Sequence, residues 1–302
     1  MSLPSSNNHK SRNIKSLPYL LLAIAPLCWA GNAVLARGVI HIIPPVSLAF
    51  WRWVLAFLFL LPFAFKHAVR DWPFFIKHWK MICFLSLAGV TCFNTLLYIA
   101  AHTTTAINVA LIQTMMPAAI ILISWIAFKE KVTRLQSLGV GFCILGACLV
   151  ALRGRFSTFL ELSFVEGDVL MLVAVFLYAL YSAFLRRRPP MHPLSFLIYT
   201  FAIGAMGLLP FYIWELSCRR AFTLSISTAF SILYLALFPS IVAFFCWNRG
   251  VESIGANRAG LFINLIPVFA SVMAIIWLGE SLKAFHMIGM GLILTGMILF
   301  NR

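Results

Sequence analysis

The sequence predicts an all-α integral membrane protein, with ten transmembrane helices laid out as two inverted five-helix repeats. Three observations carry that expectation. Of the 302 residues, 62% are hydrophobic and 10% charged, with a mean hydropathy of +0.97, whereas a soluble domain has about a quarter of its residues charged. Ten apolar runs approach the roughly 17–25 residues needed to cross a bilayer. Finally, Pro117, Glu130, Gly139, Gly141 and Gly146 return with unchanged spacing as Pro267, Glu280, Gly289, Gly291 and Gly296. Each of those residue types has a background frequency of only ~5–7%, so one shared offset across five of them marks a tandem duplication.

Taken in order, the apolar runs fall at 18–36, 47–65, 80–101, 106–128 and 135–152, then 167–185, 194–214, 227–247, 256–278 and 284–301. The chain therefore divides into a tail (1–17), a first five-helix repeat (18–153), a connecting loop (154–166) and a second repeat (167–302). The first apolar run follows a basic stretch, as in a signal peptide, but the runs behind it make it the first, uncleaved span. The echo reaches further upstream at slightly shorter offsets. Pro45, Ser47 and Pro62 answer Pro193, Ser195 and Pro210, while Trp29, Ala30 and Arg37 answer Tyr178, Ala179 and Arg186.

Orientation follows from Lys and Arg placement. With a cytoplasmic N-terminus, sixteen of the 23 basic residues lie on the cytoplasmic side and six on the other, and Arg52 falls inside a span. Both termini are thus expected in the cytoplasm, in a plasma membrane of the bacterial inner-membrane kind. An odd number of spans per half turns the second half upside down, the inverted repeat on which many alternating-access carriers are built.

Composition also excludes functions. A net charge of +15 in a soluble chain would suggest nucleic acid; here the cations flank apolar runs, and the partner is the bilayer. Six of the seven cysteines lie within apolar runs, with no metal spacing, so they read as packing residues, and no metal or cofactor is expected. All eight acids are expected in loops or at helix ends. That leaves no mid-membrane carboxylate relay of the proton-pump kind and favours facilitated diffusion or exchange. Intramembrane hydrolysis wants an Asp pair, a His/Glu metal set or a Ser–His arrangement, which the pattern lacks; no enzyme is expected.

Several stretches resemble the ten-span EamA-type carriers of the drug/metabolite transporter superfamily. In the first half they are "PPVSLAFWRWVLAFLFLLP", "FNTLLYIAAHTTTAINVALIQTMMPAAIILI" and "FKEKVT"; in the second, "SIVAFFCWNRGVESIGANRAGLFINLIPVFASVMAIIWLGE". The resemblance spans nearly the whole chain. It implies a central cavity enclosed by spans three, four, eight and nine, aided by one and six. It also implies export or exchange of small metabolites, among them amino acids and related amphipathic solutes. The alternative is a non-transporting membrane receptor or assembly factor, whose signature would be a sealed centre without a polar path.

The candidate substrate residues are polar and aromatic side chains in helical phase. Span one offers Trp29 and Asn32; span three, Asn94 and Tyr98; span six, Tyr178 and Tyr181; span eight, Phe244 and Asn248; span nine, Asn264. Gln113 stands beside the proline of span four. Asparagine supplies both donor and acceptor, and Asn264 with a carbonyl freed at Pro267 would hydrogen-bond a zwitterionic or amide-bearing solute. Each asparagine can instead be interhelical glue. Pro117 and Pro267 are either static kinks or hinges. Arg52, the one basic residue deep in a run, either binds a carbonyl or a substrate carboxylate, or snorkels to the interface. Gly139 and Gly146, like Gly289 and Gly296, share a helix face, for close packing or for a dimer seam. Glu130 and Glu280, with lysines close by, mark span ends or contact substrate.

Overall fold

The computed structural model describes residues 8–39, 42–104, 109, 112–152, 154, 165–218, 222, 225–278 and 283–301, and every regular element among them is helical. Helix α1 is Asn8–Val39 and α2 is Pro45–Ser86, which passes through a π-helical segment, Leu87–Cys92, into α3, Phe93–Thr103. Helices α4 (Met116–Phe128) and α5 (Arg134–Ala151) complete the first half. The second half holds α6 (Glu166–Phe184) and α7 (Pro193–Cys218), then α8 (Ile226–Leu235), a π segment (Ala236–Val242) and α9 (Ala243–Ile254). A short α10 (Ala256–Gly260) and a 3-10 segment (Leu261–Leu265) lead into α11 (Ile266–Leu278), and α12 (Ala284–Asn301) closes the chain. Glu280 lies outside the described residues.

Among the described residues six helices are long and apolar enough to cross a membrane, one of them the continuous run Pro45–Thr103 of 59 residues. Ser16–Asn32, Met116–Phe128 and Arg134–Val150 are apolar but shorter. The run Pro45–Thr103 corrects the expected connection between residues 65 and 80, and it puts Asp71 inside a helix rather than in a loop. Residues 66–80 hold Pro73 but no glycine, and their Lys, Ala and Arg are good helix formers, so the chain stays helical. Only His78 leaves the helical region (φ −120°, ψ 21°). At ~1.5 Å per residue, 59 residues would reach about 90 Å, some three times the ~30 Å hydrocarbon layer, so the break at His78 divides the run.

The helices pair across the halves. α1 packs on α9 and α11, α6 on α3 and α4, α2 on α7, and α5 on α12. Exchanging the halves leaves that pairing pattern unchanged. The α2–α7 pair also exchanges caps. The first N–H groups of a helix have no partner within it, and α2 starts after Pro44 with no side-chain cap of its own. Glu215, in the last turns of α7, accepts from Val46 N (3.2 Å), Ser47 N (2.7 Å) and Ser47 Oγ (2.7 Å). In return Asp71 of α2 accepts from His192 N (2.7 Å), just ahead of α7. The echoed serines, Ser47 and Ser195, mark these two capped starts.

Between α5 and α12 the glycines do the packing. A Cβ on Gly146 would sit 2.5 Å from the Gly289 carbonyl, and one on Gly139 would sit 2.6 Å from the Gly296 carbonyl. Lipid offers little hydrophobic drive for helices to associate, so close van der Waals approach through small residues supplies it. Of the two readings, the glycine stripes therefore serve packing within the chain. The start of α1 and the end of α12 share one end of the bundle. Leu22, in the first half of α1, lies against Gly250 late in α9, and Phe300 at the end of α12 lies against Gly139 early in α5. Residues 129–134 and 186–188 stand at that same end.

Candidate functional site: a buried polar centre

The π segment of the second half positions the centre. Pro239 has no N–H to give, and its carbonyl faces inward to accept from Trp29 Nε1 (3.2 Å) and Arg52 Nη2 (3.0 Å). Arg52 is fully buried on α2. Its Nε donates to Ser240 Oγ (2.6 Å), and its Nη1 donates to Asn94 Oδ1 (2.8 Å) and Tyr98 Oη (2.8 Å). The guanidinium carbon stands 4.7 Å from the Trp53 ring centroid. Tyr98 Oη in turn donates a hydrogen bond to Asn32 Oδ1 (2.9 Å). Among the described residues no carboxylate pairs with Arg52. Neutral oxygens and a π face alone offset its charge. Snorkelling is thereby excluded as the account of this side chain.

Around this cation lies a shell of rings. Trp29 meets Tyr178 (5.7 Å, edge-on), Phe244 (6.3 Å) and Trp247 (5.4 Å). Phe244 also meets Trp53, Tyr181 and Phe201. Tyr181 Oη donates to Asn248 Oδ1 (2.6 Å). The centre is closed, with Tyr98, Tyr178, Tyr181, Phe244 and Asn248 each at most 2% exposed. Yet it is not satisfied. Asn94 Nδ2, Asn248 Nδ2, Trp53 Nε1, Trp247 Nε1 and Tyr178 Oη are buried without a hydrogen-bond partner. Most buried polar groups in folded proteins are paired, so five unmet groups leave this closed core short of acceptors.

The structure thus brings Trp29, Asn32, Asn94, Tyr98, Tyr178, Tyr181, Phe244 and Asn248 together with Arg52. Asn264 stands apart from that hydrogen-bond network. It is buried in the 3-10 segment with both side-chain atoms unpaired, alongside the Cys143 thiol of α5. Gln113 is half-buried one turn before Pro117 and makes none of the centre's hydrogen bonds. Pro117 occupies the first turn of α4, where a missing N–H costs nothing. Pro267 stands inside the continuous helical run Ala256–Met273, where the 3-10 segment passes into α11. Ser240, which shares the span-eight stripe of Phe244 and Asn248, belongs to the centre too, as do Trp53, Trp247 and Pro239, which sequence reasoning passed over. Trp53, beside Arg52, was the available signal.

At the end of the bundle that carries the termini, ion pairs replace aromatics. Lys129 closes α4 in a left-handed turn (φ 58°), which turns Glu130 toward Arg186 and toward Asn257 Nδ2 (2.9 Å), its partners in place of the neighbouring lysines. Arg188 and Arg249 share Glu252 (2.7 and 3.0 Å). His192 stacks on His67 (3.7 Å, 5°). Burial disfavours ionisation of Asp71, but the His192 N–H, the Ser195 hydroxyl and Arg70 outweigh it and hold the carboxyl below its usual range. Burial, then the neighbouring His67, lowers the pKa of His192.

Two like halves of apolar helices around a buried cation and a ring of aromatics define a duplicated, multi-pass membrane protein. The chain belongs to the EamA-like transporter family, whose profile matches residues 16–152 and again 165–302. It is similar to the uncharacterized transporter YyaM of Bacillus subtilis (strain 168), 29% identical over 87% of each chain. An uncharacterized transporter of Archaeoglobus fulgidus is 27% identical over 95% of this chain and 98% of its own. A probable terminal-alkyne amino-acid exporter of Streptantibioticus cattleyicolor is 23% identical over 74% and 73%. A solved crystal structure shares the fold, with a TM-score of 0.76 at 16% identity over 94% of this chain and 96% of its own.

Proposed function

We propose that this transporter exports or exchanges amino acids or related amphipathic solutes across the plasma membrane, by alternating access between inverted halves of five spans each. The observation that carries this reading is the unsatisfied centre, which is closed but, unlike a sealed apolar one, is built of polar groups hydrogen-bonded from α1 to the second π segment. A receptor or assembly factor has no need of buried donors left unpaired, whereas a carrier's site meets its partner only when loaded. The surplus consists of donors around the Arg52 cation, which suits a carboxylate; the Trp29, Tyr178 and Phe244 faces suit an ammonium or an apolar side chain. The resemblance to an amino-acid exporter points the same way. Ten passes put both termini on one side, and the Lys and Arg excess there makes that side cytoplasmic. Residues 18–153 and 167–302 form the two moving halves, with Pro117 and Pro267 as their hinges.

The test is counterflow in proteoliposomes loaded with unlabelled amino acids and offered labelled ones, with Trp29→Ala and Asn264→Ala alongside. Saturable exchange is expected for at least one amino acid, weakened by Trp29→Ala and surviving collapse of the pH gradient. Loss of one hydrogen bond to a charged group, ~1.5–3 kcal/mol, would lower affinity about tenfold to hundredfold. If Asn264 bonds the solute, Asn264→Ala shows that drop; unchanged binding removes Asn264 from the site. No exchange with any amino acid overturns the amino-acid reading.

A further inference from the structure

A cavity of about 880 Å³ opens at the terminus-bearing end of the bundle. Its lining comes from four separate places: α2, the turn after α4, the α6–α7 connection and the α9–α10 junction. Three acids line it, and each is already engaged. Glu130 holds Arg186 and Asn257. Asp71 holds His192 N and Arg70. Both oxygens of Glu252 are taken, one by Arg188 Nη2 and one by Arg249. Arg188 is different. Its side chain is nine-tenths buried, it lines the cavity, and its Nη1 has no partner. The unmet polar valence here is therefore a donor on a cation, and the acceptors nearby are spent.

Beneath the cavity one stripe of α6 and its continuation faces one stripe of α9. At the mouth Arg188 meets Glu252, and Leu185 and Val251 form the next layer. A turn deeper Tyr181 bonds Asn248, and beyond them Tyr178 meets Phe244 and Trp247 in the aromatic shell. Residues 178, 181, 185 and 188 are three or four apart, so they lie on a single face. Two cross-links bar this seam, an ion pair outside and a hydrogen bond within.

We propose that the cavity is a reception site for a solute carboxylate, which takes Arg188 from Glu252 and so undoes the outer cross-link of the path to the centre. The proposal rests on the transport reading, but it concerns a second site, at the mouth. A guanidinium binds carboxylates through paired N–H groups, and Glu252 keeps Arg249 when Arg188 leaves. The carboxylate at the mouth thus acts as its own key.

The test uses the full chain in nanodiscs and proteoliposomes, with phenylalanine, phenylalaninamide and 3-phenylpropionate as probes. Arg188→Gln is expected to raise the half-saturating concentration of phenylalanine and 3-phenylpropionate about tenfold from the terminus-bearing face only, the loss expected of one charged hydrogen bond. Phenylalaninamide should not respond. Glu252→Gln, which frees Arg188, should shift the two carboxylates the opposite way, and Arg188→Lys should restore part of the loss. A shift that is equal from both faces, or equal for the amide, overturns the proposal, because Arg188 would then only brace the connection. Arg188-dependent binding without transport would sink the transport reading and keep this one. Transport that is indifferent to Arg188 would do the reverse. Neither binding nor transport of any probe would remove this proposal, and the transport reading would fall with it only if no amino acid exchanges.

Discussion

In the first half a π segment, Leu87–Cys92, is followed by Asn94 and Tyr98; in the second, Ala236–Val242 is followed at the same steps by Phe244 and Asn248. Both halves join the outgoing helix to the helix that opens the repeat by one tyrosine–asparagine hydrogen bond. The donors have traded places. The first half uses Tyr98 and Asn32, the second Asn248 and Tyr181. Duplication preserved the backbone irregularity and the bond, not the residues. Charge was treated otherwise. At the position answering Arg52 stands Thr200, whose hydroxyl turns back to its own helix at Phe196 and Leu197. A symmetric frame therefore holds an asymmetric site.

The largest effect expected of that frame is at its shared seam. Gly146→Leu must push α5 and α12 apart and should cost about 3 kcal/mol, read as a lower unfolding temperature in detergent. A variant as stable as the parent would dissolve the seam. The reciprocal caps come next. Glu215→Ala orphans two N–H groups and a hydroxyl, and should cost roughly 2–3 kcal/mol, since bonds to charged groups run at about 1.5–3 each. Asp71→Ala, which frees one N–H, should cost less. If the order inverts, the two caps are not equivalents.

The traded bond gives a finer measure. Tyr98→Phe breaks contacts with both Arg52 and Asn32 and should cost about 2 kcal/mol, against about 1 for Tyr181→Phe. Equal losses would mean that Arg52 does not depend on Tyr98. The smallest difference is in pH. The unfolded chain protonates His192 below about 6.5, while the fold holds that pKa lower. Its contribution is thus complete above that pH and lost as pH falls through the folded value. Thermal stability should decline from pH 7.5 to 5.5, less steeply in His192→Phe. Asp71, held below its ordinary range, contributes above about pH 3.9 and is lost only at lower pH. Asp71→Asn should steepen that slope rather than relieve it, because the Asp71 carboxylate holds the His192 pKa up against burial and His67.

The duplication was legible because Pro, Gly and Glu are uncommon enough for a repeated spacing to show. The correspondence of Trp29 with Tyr178 was legible too; Asn32 and Tyr181 stand at the same offset, and all four meet in the centre. What stayed hidden is set by tertiary contact. Residues 66–80 are polar enough to read as a connection, yet they continue α2. The π segments have no local code beyond Gly89 and Pro239. Asn264 shares a helical stripe with Gly260, and Gly260 faces Ile120 and Pro117, yet the Asn264 side chain lies by Cys143. Periodicity assigns a face, not the neighbour across from it. Trp53 and Trp247 escape notice in the sequence, because an indole is apolar until its N–H is counted.

The glycine seam also sets a timetable. Gly146 waits for Gly289, and Gly139 for Gly296, so α5 leaves the ribosome some 140–160 residues ahead of the helix it packs on. At about 5–20 residues per second, that is an interval on the order of 10–30 s. Throughout it, the glycine-faced side of α5 has only lipid or foreign helices for company. The nascent first half is a product awaiting its last part, and the final eighteen residues of α12 are what release it.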